Sequence, residues 1–263
     1  MISSSARKVQ KLISLRLPLL TISLIIGGFA APRVESAPAQ TSSGWLLRQT
    51  HSANGEQHVY VFPEHLRIEN LHLGTTVVAD ARTGKAWVFN DQRKVCCCVN
   101  WDKFEHSFAK IMQLGGESLP HLKWTQVKDK KNTVIAGLPT NKFMAVDEKL
   151  YFGGGGGGFI SGAGKMVLID YTIYTASKIV TSPKLLKVLA DMQTTPVLSG
   201  VPLQQMSLYD KKRERIFLNT REAKQIPEDK KLWLIPKYKQ VSTLAQVNSL
   251  TDSGLLEDMM GKW

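Results

Sequence analysis

Cysteine is scarce in this 263-residue chain, and its three copies are adjacent, Cys96-Cys97-Cys98. A disulfide framework uses an even number of cysteines spread along the sequence. Such staples are therefore not expected, and a chain of this length buries a sizeable core without them. Neighbours in a strand point to opposite sides, so Cys96 and Cys98 share one face and Cys97 takes the other. Small buried hydrophobes describe them better than a redox or soft-metal site. Long apolar runs are also missing. The best, residues 17–29, falls short of the roughly 20 residues of a membrane span and is broken by Pro18. No repeat of 20–50 residues is visible, which excludes solenoids and propellers.

Catalytic signatures are absent too. In the stretch Phe159-Ile160-Ser161-Gly162-Ala163-Gly164-Lys165-Met166, Phe159 stands where a phosphate loop needs its first glycine. Met166 stands where that loop needs Ser or Thr. Ser161 lacks the flanking glycines of a nucleophile elbow. There is no H-E-x-x-H and no paired-carboxylate signal, and no nucleic-acid reader motif accompanies the basic charge. The chain reads as a non-enzyme with no cofactor.

What is present begins at the N-terminus. Arg7, Lys8, Lys11 and Arg16 precede the apolar stretch, and Ala37-Pro38-Ala39 follows, with Gly28-Phe29-Ala30 as the alternative cut. That order is the secretory pattern. It divides the chain into a signal peptide (1–39), a domain (40–243) and a tail (244–263), and places the mature protein in a periplasm or cell envelope, or outside the cell. The formal charge is +12; without residues 1–39 it is +8. The surplus lies in Lys128-Asp129-Lys130-Lys131, Lys211-Lys212-Arg213 and Lys230-Lys231, each between apolar segments, which favours solvated turns over a membrane-binding patch.

Short strands recur about every ten residues from 44 to 100, the rhythm of an antiparallel sandwich or barrel. Segments 45–50 and 57–62 flank Asn54-Gly55, a hairpin signal. In 66–70, Leu66 and Ile68 face inward and Arg67 and Glu69 outward. Helical spacing follows in Phe104, Phe108, Ile111 and Met112. Strands are expected at 123–127, 133–136, 141–146 and 165–175, with the glycines of 153–158 as an inserted loop. A helix begins after Ser182 with Pro183 first and Leu185, Val188, Leu189 and Met192 as its stripe. Strands at 205–209, 215–220 and 233–241 complete the chain. A two-residue turn at Asn54-Gly55 would set His51 opposite His58, a weak candidate for two metal positions against a simple polar pair.

Several segments resemble a known family. Leu66-Arg67-Ile68-Glu69, then Thr76-Val77-Val78-Ala79-Asp80, then Gly84-Lys85-Ala86-Trp87-Val88-Phe89 with Lys94, look like the front half of LolA-type exported proteins. Ala136-Gly137-Leu138-Pro139-Thr140-Asn141-Lys142-Phe143, Gly200-Val201-Pro202-Leu203 and Ile235-Pro236-Lys237-Tyr238-Lys239 with Val241 resemble the back half. The glycine run and the triple cysteine have no counterpart in that pattern. The resemblance to the LolA, LolB and LppX group, closest to its uncharacterised exported members, implies a mainly β (α+β) fold. That fold is a curved antiparallel sheet forming an open half-barrel, with helices over its concave face and an interior that accepts lipid or lipoprotein acyl chains.

The expected apolar lining is Trp45, Leu47, Leu66, Ile68, Trp87, Phe89, Phe104, Phe108 and Met112. A carrier or sensor for an apolar ligand is the first functional reading. The alternative is an envelope structural or interaction protein that docks a membrane or protein partner through its outer sheet face and Lys211, Lys212 and Arg213.

Overall fold

The computed structural model describes residues 43–100, 122–151 and 165–248. The signal-like segment, the helix expected around Phe104, Phe108 and Met112, and the glycine run lie outside them. The described chain is mainly β. Its strands are β1 (Ser43–His51), β2 (Gly55–Val61), β3 (His65–Asn70), β4 (Thr75–Asp80), β5 (Lys85–Asn90), β6 (Val95–Asn100), β7 (Thr125–Val127), β8 (Val134–Ile135), β9 (Leu138–Pro139), β10 (Asn141–Tyr151), β11 (Lys165–Ala176), β12 (Val201–Tyr209), β13 (Arg213–Pro227) and β14 (Lys239–Gln240). Helix α1 (Pro183–Met192) precedes β12, a 3-10 turn (Lys230–Trp233) follows β13, and α2 (Leu244–Asn248) follows β14.

Twelve strands form one open sheet in the order β14-β6-β5-β4-β3-β2-β1-β13-β12-β11-β10-β7; β8 and β9 pair separately. All neighbours in the large sheet are antiparallel except β14, which runs parallel to β6. Strand β1 joins the two halves, pairing with β2 on one side and β13 on the other. Among the described residues no helix is long and apolar enough to cross a membrane.

The ten-residue rhythm has a chemical cause. Asn70, Asp80 and Asn90 end their strands, and each side-chain oxygen accepts a backbone N–H of the following turn: Leu73 at 3.3 Å, Arg82 at 2.8 Å, and both Gln92 and Arg93 at 3.0 Å. These are the local bonds that short polar side chains offer at turns. Each turn then closes in the left-handed region, at Gly74, Gly84 and Lys94.

Alternation sorts the sheet into two faces. The core face carries Leu47, Val59, Val61, Leu66, Ile68, Val77, Ala79, Ala86, Val88 and Cys97, which form one buried cluster with Leu203, with Leu185, Val188, Leu189 and Met192 of α1, and with Leu244 and Val247 of α2. Helix α1 starts as its sequence suggests, with the Ser182 hydroxyl capping it and Pro183 in its first turn. It packs against β3 and β4, and α2 packs against β5 and β6. The first turn of the tail is thus part of the core.

The opposite side is the strap face. Residues 233–241, expected as a final strand, belong instead to a strap, 228–241, made of the 3-10 turn, an extended run containing Pro236 and only two paired residues. A proline lacks the N–H a ladder needs. This strap crosses β3 to β6, where Trp233, Ile235 and Tyr238 cover Val78, Phe89 and Cys96.

Candidate functional site

Across the core face runs a row of polar side chains, one per strand. Thr220 on β13 is registered with Gln49 on β1, Gln49 with Gln57 on β2, Gln57 with Asn70 on β3, Asn70 with Thr75 on β4, and Thr75 with Asn90 on β5. All six are buried. On β12, Gln205 and Ser207 extend the same side and are buried as well. The row separates the large apolar cluster from a second one built by Ile169, Tyr171 and Phe217 with Tyr209 and Trp124 packed against it.

The turn between β1 and β2 and the end of α1 hold this row in place. His51 is registered with Gly55, so Ser52, Ala53 and Asn54 form the turn, with Gly55 at a positive φ of 73°. The His51 Nδ1 accepts the N–H of Ala53 and of Asn54, at 3.2 and 3.3 Å. Its proton is therefore on Nε2, which donates to the Gln193 carbonyl at 3.2 Å. The Asn54 amide donates to the Met192 carbonyl at 3.4 Å. The turn thereby satisfies carbonyls that the helix end leaves open. Burial pushes the His51 pKa below the ordinary histidine value, and the bond to Gln193 opposes this less strongly.

Gln193 also reaches the row. Its Nε2 donates to Gln49 Oε1 at 2.6 Å, and Gln49 Nε2 donates to the Pro202 carbonyl and the Thr220 hydroxyl at 3.0 and 2.9 Å. The Thr220 hydroxyl in turn donates to the Leu203 carbonyl at 2.6 Å. Gln49 is fully satisfied. Its neighbour Gln57 is not: the residue is 0% exposed, yet among the described residues neither Nε2 nor Oε1 has a hydrogen-bond partner. Because both ends lack one, the finding is the same whichever end is oxygen. Asn70 Nδ2 and Gln193 Oε1 are in the same condition, as are Gln205 Oε1 and Ser207 Oγ on β12. Each buried polar group left without a partner costs about 1–3 kcal/mol. Several together rival the roughly 5–15 kcal/mol that holds a domain folded. A fold that keeps such a group of atoms supplies them with something to bond.

The residues expected to line an apolar interior divide between the two faces. Leu47, Leu66 and Ile68 lie in the core-face cluster with Trp45 packed against it. Trp87 and Phe89 lie on the strap face, where Phe89 meets the edge of Tyr238 at 6.2 Å between ring centroids. One cavity on one side of the sheet cannot use both sets. The reason is the single-residue step between Ala86 and Trp87, whose alternation follows β4 rather than residue type. Phe104, Phe108 and Met112 lie outside the described residues.

The histidine pair is also corrected. His58 is registered with Arg48, and His51 is on the other face from it. The three-residue turn, rather than a two-residue one, shifts the register. His58 approaches Glu69 at 3.6 Å, beside the Arg67–Glu69 ion pair at 2.7 Å. Among the described residues no group of three metal-ligating side chains comes together. Cys96 and Cys98 do share one face, with Cys97 on the other, and all three are free. Burial raises the thiol pKa of Cys97 and of Cys98. Lys211, Lys212 and Arg213 are exposed at the β12–β13 turn.

The row of amides was missed by sequence reading, although Gln49, Gln57, Asn70 and Asn90 occupy apolar-phase positions of their strands. That is the signal that could have found it.

No protein-family model matches the chain, and no curated protein does. Among solved structures it is similar to an uncharacterized conserved protein from Thermus thermophilus, with a TM-score of 0.39 and 12% identity over 78% of this chain and 92% of that one. A likeness of that degree carries no argument about function.

Proposed function

We propose that this protein is a non-catalytic, exported envelope protein that binds a lipid, an acyl chain or another apolar ligand on the core face of its sheet. The observation that carries the reading is the buried side of the sheet itself. Two apolar clusters flank a strip of hydrogen-bonding groups that the protein leaves partly unpartnered, as a surface shaped for a guest would. In this reading the sheet bends into the open half-barrel that the LolA resemblance implies, with α1 and α2 over its concave side. Burial of hydrocarbon there would supply about 0.8 kcal/mol per CH₂.

The test is fluorescence titration of the full exported chain with N-phenyl-1-naphthylamine, a small apolar dye. Saturable, near-stoichiometric enhancement supports the reading. No enhancement above that of a denatured control contradicts it.

A further inference from the structure

We infer that the ligand is an uncharged amphiphile bound head-inward, with its hydroxyl, ester or amide group against Gln57 and its hydrocarbon over the flanking apolar clusters. This rests on the ligand-binding reading above and adds the chemistry of what is bound. Gln57 lies between Gln49 and Asn70 by strand register, and Gln193 is tied to Gln49 by the 2.6 Å bond. Four of their atoms, two on Gln57 and one each on Asn70 and Gln193, have no hydrogen-bond partner among the described residues. Gln57 and Asn70 are buried to within 1% of completely, and Gln193 completely.

The chemistry of those atoms selects the head group. A primary amide donates from nitrogen and accepts at oxygen, so the group that satisfies Gln57 must do both or present neighbouring donors and acceptors. A glycerol hydroxyl beside an ester carbonyl does so. Among the described residues the only cation registered with the row is the exposed Arg215, opposite Ser207 at its far end. A phosphate or carboxylate at Gln57 would therefore be buried without a cation on either registered neighbour, Gln49 or Asn70. From Asn90 to Ser207 the row contains only amides and hydroxyls, and His51 beside it is held neutral by its two accepted N–H bonds. Burying an unpaired charge is far more costly than burying a neutral polar group. The same donors and acceptors could meet a free fatty alcohol or an N-acyl amide, so the head is defined as neutral and hydrogen-bonding, with acylglycerol as the best fit.

The experiment uses the full exported chain, delipidated, with the naphthylamine dye as reporter. Monolaurin, laurate and N-lauroylglycinamide compete against it in wild type and in Gln57→Met, which keeps the length of the side chain and removes both polar ends. Gln57→Leu serves as a second variant. The inference expects monolaurin or the amide to displace dye at a concentration at least tenfold below laurate. With competition expressed relative to each protein's own dye affinity, it expects Gln57→Met to lose tenfold or more and to melt higher than wild type when ligand-free. If the dye binds but Gln57→Met competes like wild type, or laurate competes best, the head-inward site is wrong while the apolar reading survives. If Gln57→Met melts lower than wild type with competition unchanged, Gln57 is satisfied by structural water and the inference falls. If wild type binds no dye, both readings fall together.

Discussion

The imidazole of His65 stacks on the indole of Trp233 at 4.8 Å between ring centroids, with 23° between their planes. Both rings also bond the same carboxylate oxygen, Glu228 Oε1, from His65 Nδ1 at 2.9 Å and Trp233 Nε1 at 3.0 Å. The other His65 nitrogen lies 3.1 Å from Arg82 Nη2. A guanidinium only donates, so Nε2 accepts in this contact and Nδ1 donates to Glu228. Arg67 adds a bond from Nη1 to the Leu232 carbonyl at 3.0 Å. The strap is thus fastened to β3 by aromatic and polar contacts together.

Trp233→Ala removes the stack, the bond to Glu228 and the edge contact with Phe62 at 5.3 Å. A loss of about 1–3 kcal/mol is expected, from aromatic packing and one hydrogen bond. Hydrogen exchange checks its location: protection should fall across 228–241 and over β5 and β6, while β1, β2 and α1 stay protected. Uniform loss across the sheet would show that the strap is not a separable layer.

Gly44 lies beneath the Phe62 ring, and a Cβ there would overlap its Cγ, Cδ1 and Cε1. Phe62 is fully buried and in edge contact with Trp233, so it has little freedom to move. Gly44→Ala is expected to cost about 1–3 kcal/mol as an overpacked site, and Phe62→Leu in the same chain to recover part of it. Chemical denaturation of the two single variants and the double one measures this coupling; additive losses would deny it.

The pH dependence of stability has a definite sign at His51. Its pKa is lowered in the folded state, so the unfolded chain takes up a proton more readily. The stability this residue supplies is complete above its unfolded value of about 6.5 and is lost as pH falls from there toward the folded value. Urea unfolding at pH 7.5 and 5.5 should show a weaker fold at 5.5, with a smaller difference in His51→Gln. An equal difference in both proteins would contradict the assignment.

Cys97 is buried on the core face, and Cys98 is half-buried on the strap face. Burial holds both thiols above their ordinary pKa, which disfavours the reactive thiolate. Treatment of the native chain with a disulfide reagent at pH 8 should modify Cys98 slowly and Cys97 only on unfolding. Rapid native modification of Cys97 would overturn the reading of these residues as packing groups.

Much of the sheet was legible because its signals are local. Alternation at Leu66-Arg67-Ile68, the turn glycines Gly74 and Gly84, and the Ser182-Pro183 helix start each act within a few residues, and β3, β4, β5 and α1 formed where they indicated. Strap and register were not legible for the opposite reason. Trp233 and Tyr238 look like strand residues until contacts with His65 and Phe89, more than 140 positions earlier, decide their place. His51 looks like a partner of His58 because its role in building the turn depends on ring nitrogens, not on spacing. The amide row was hidden because a glutamine in a strand reads as a solvent-facing residue, although Gln57 shares the phase of the buried Val59 and Val61.

Occupancy of the core face by an apolar guest is open to direct observation. The most direct measurement is native mass spectrometry of the chain purified from a host that exports it. The account predicts a discrete added mass that disappears after organic extraction and returns on incubation with monolaurin. A single ligand-free mass, with no uptake of monolaurin or laurate, would contradict it.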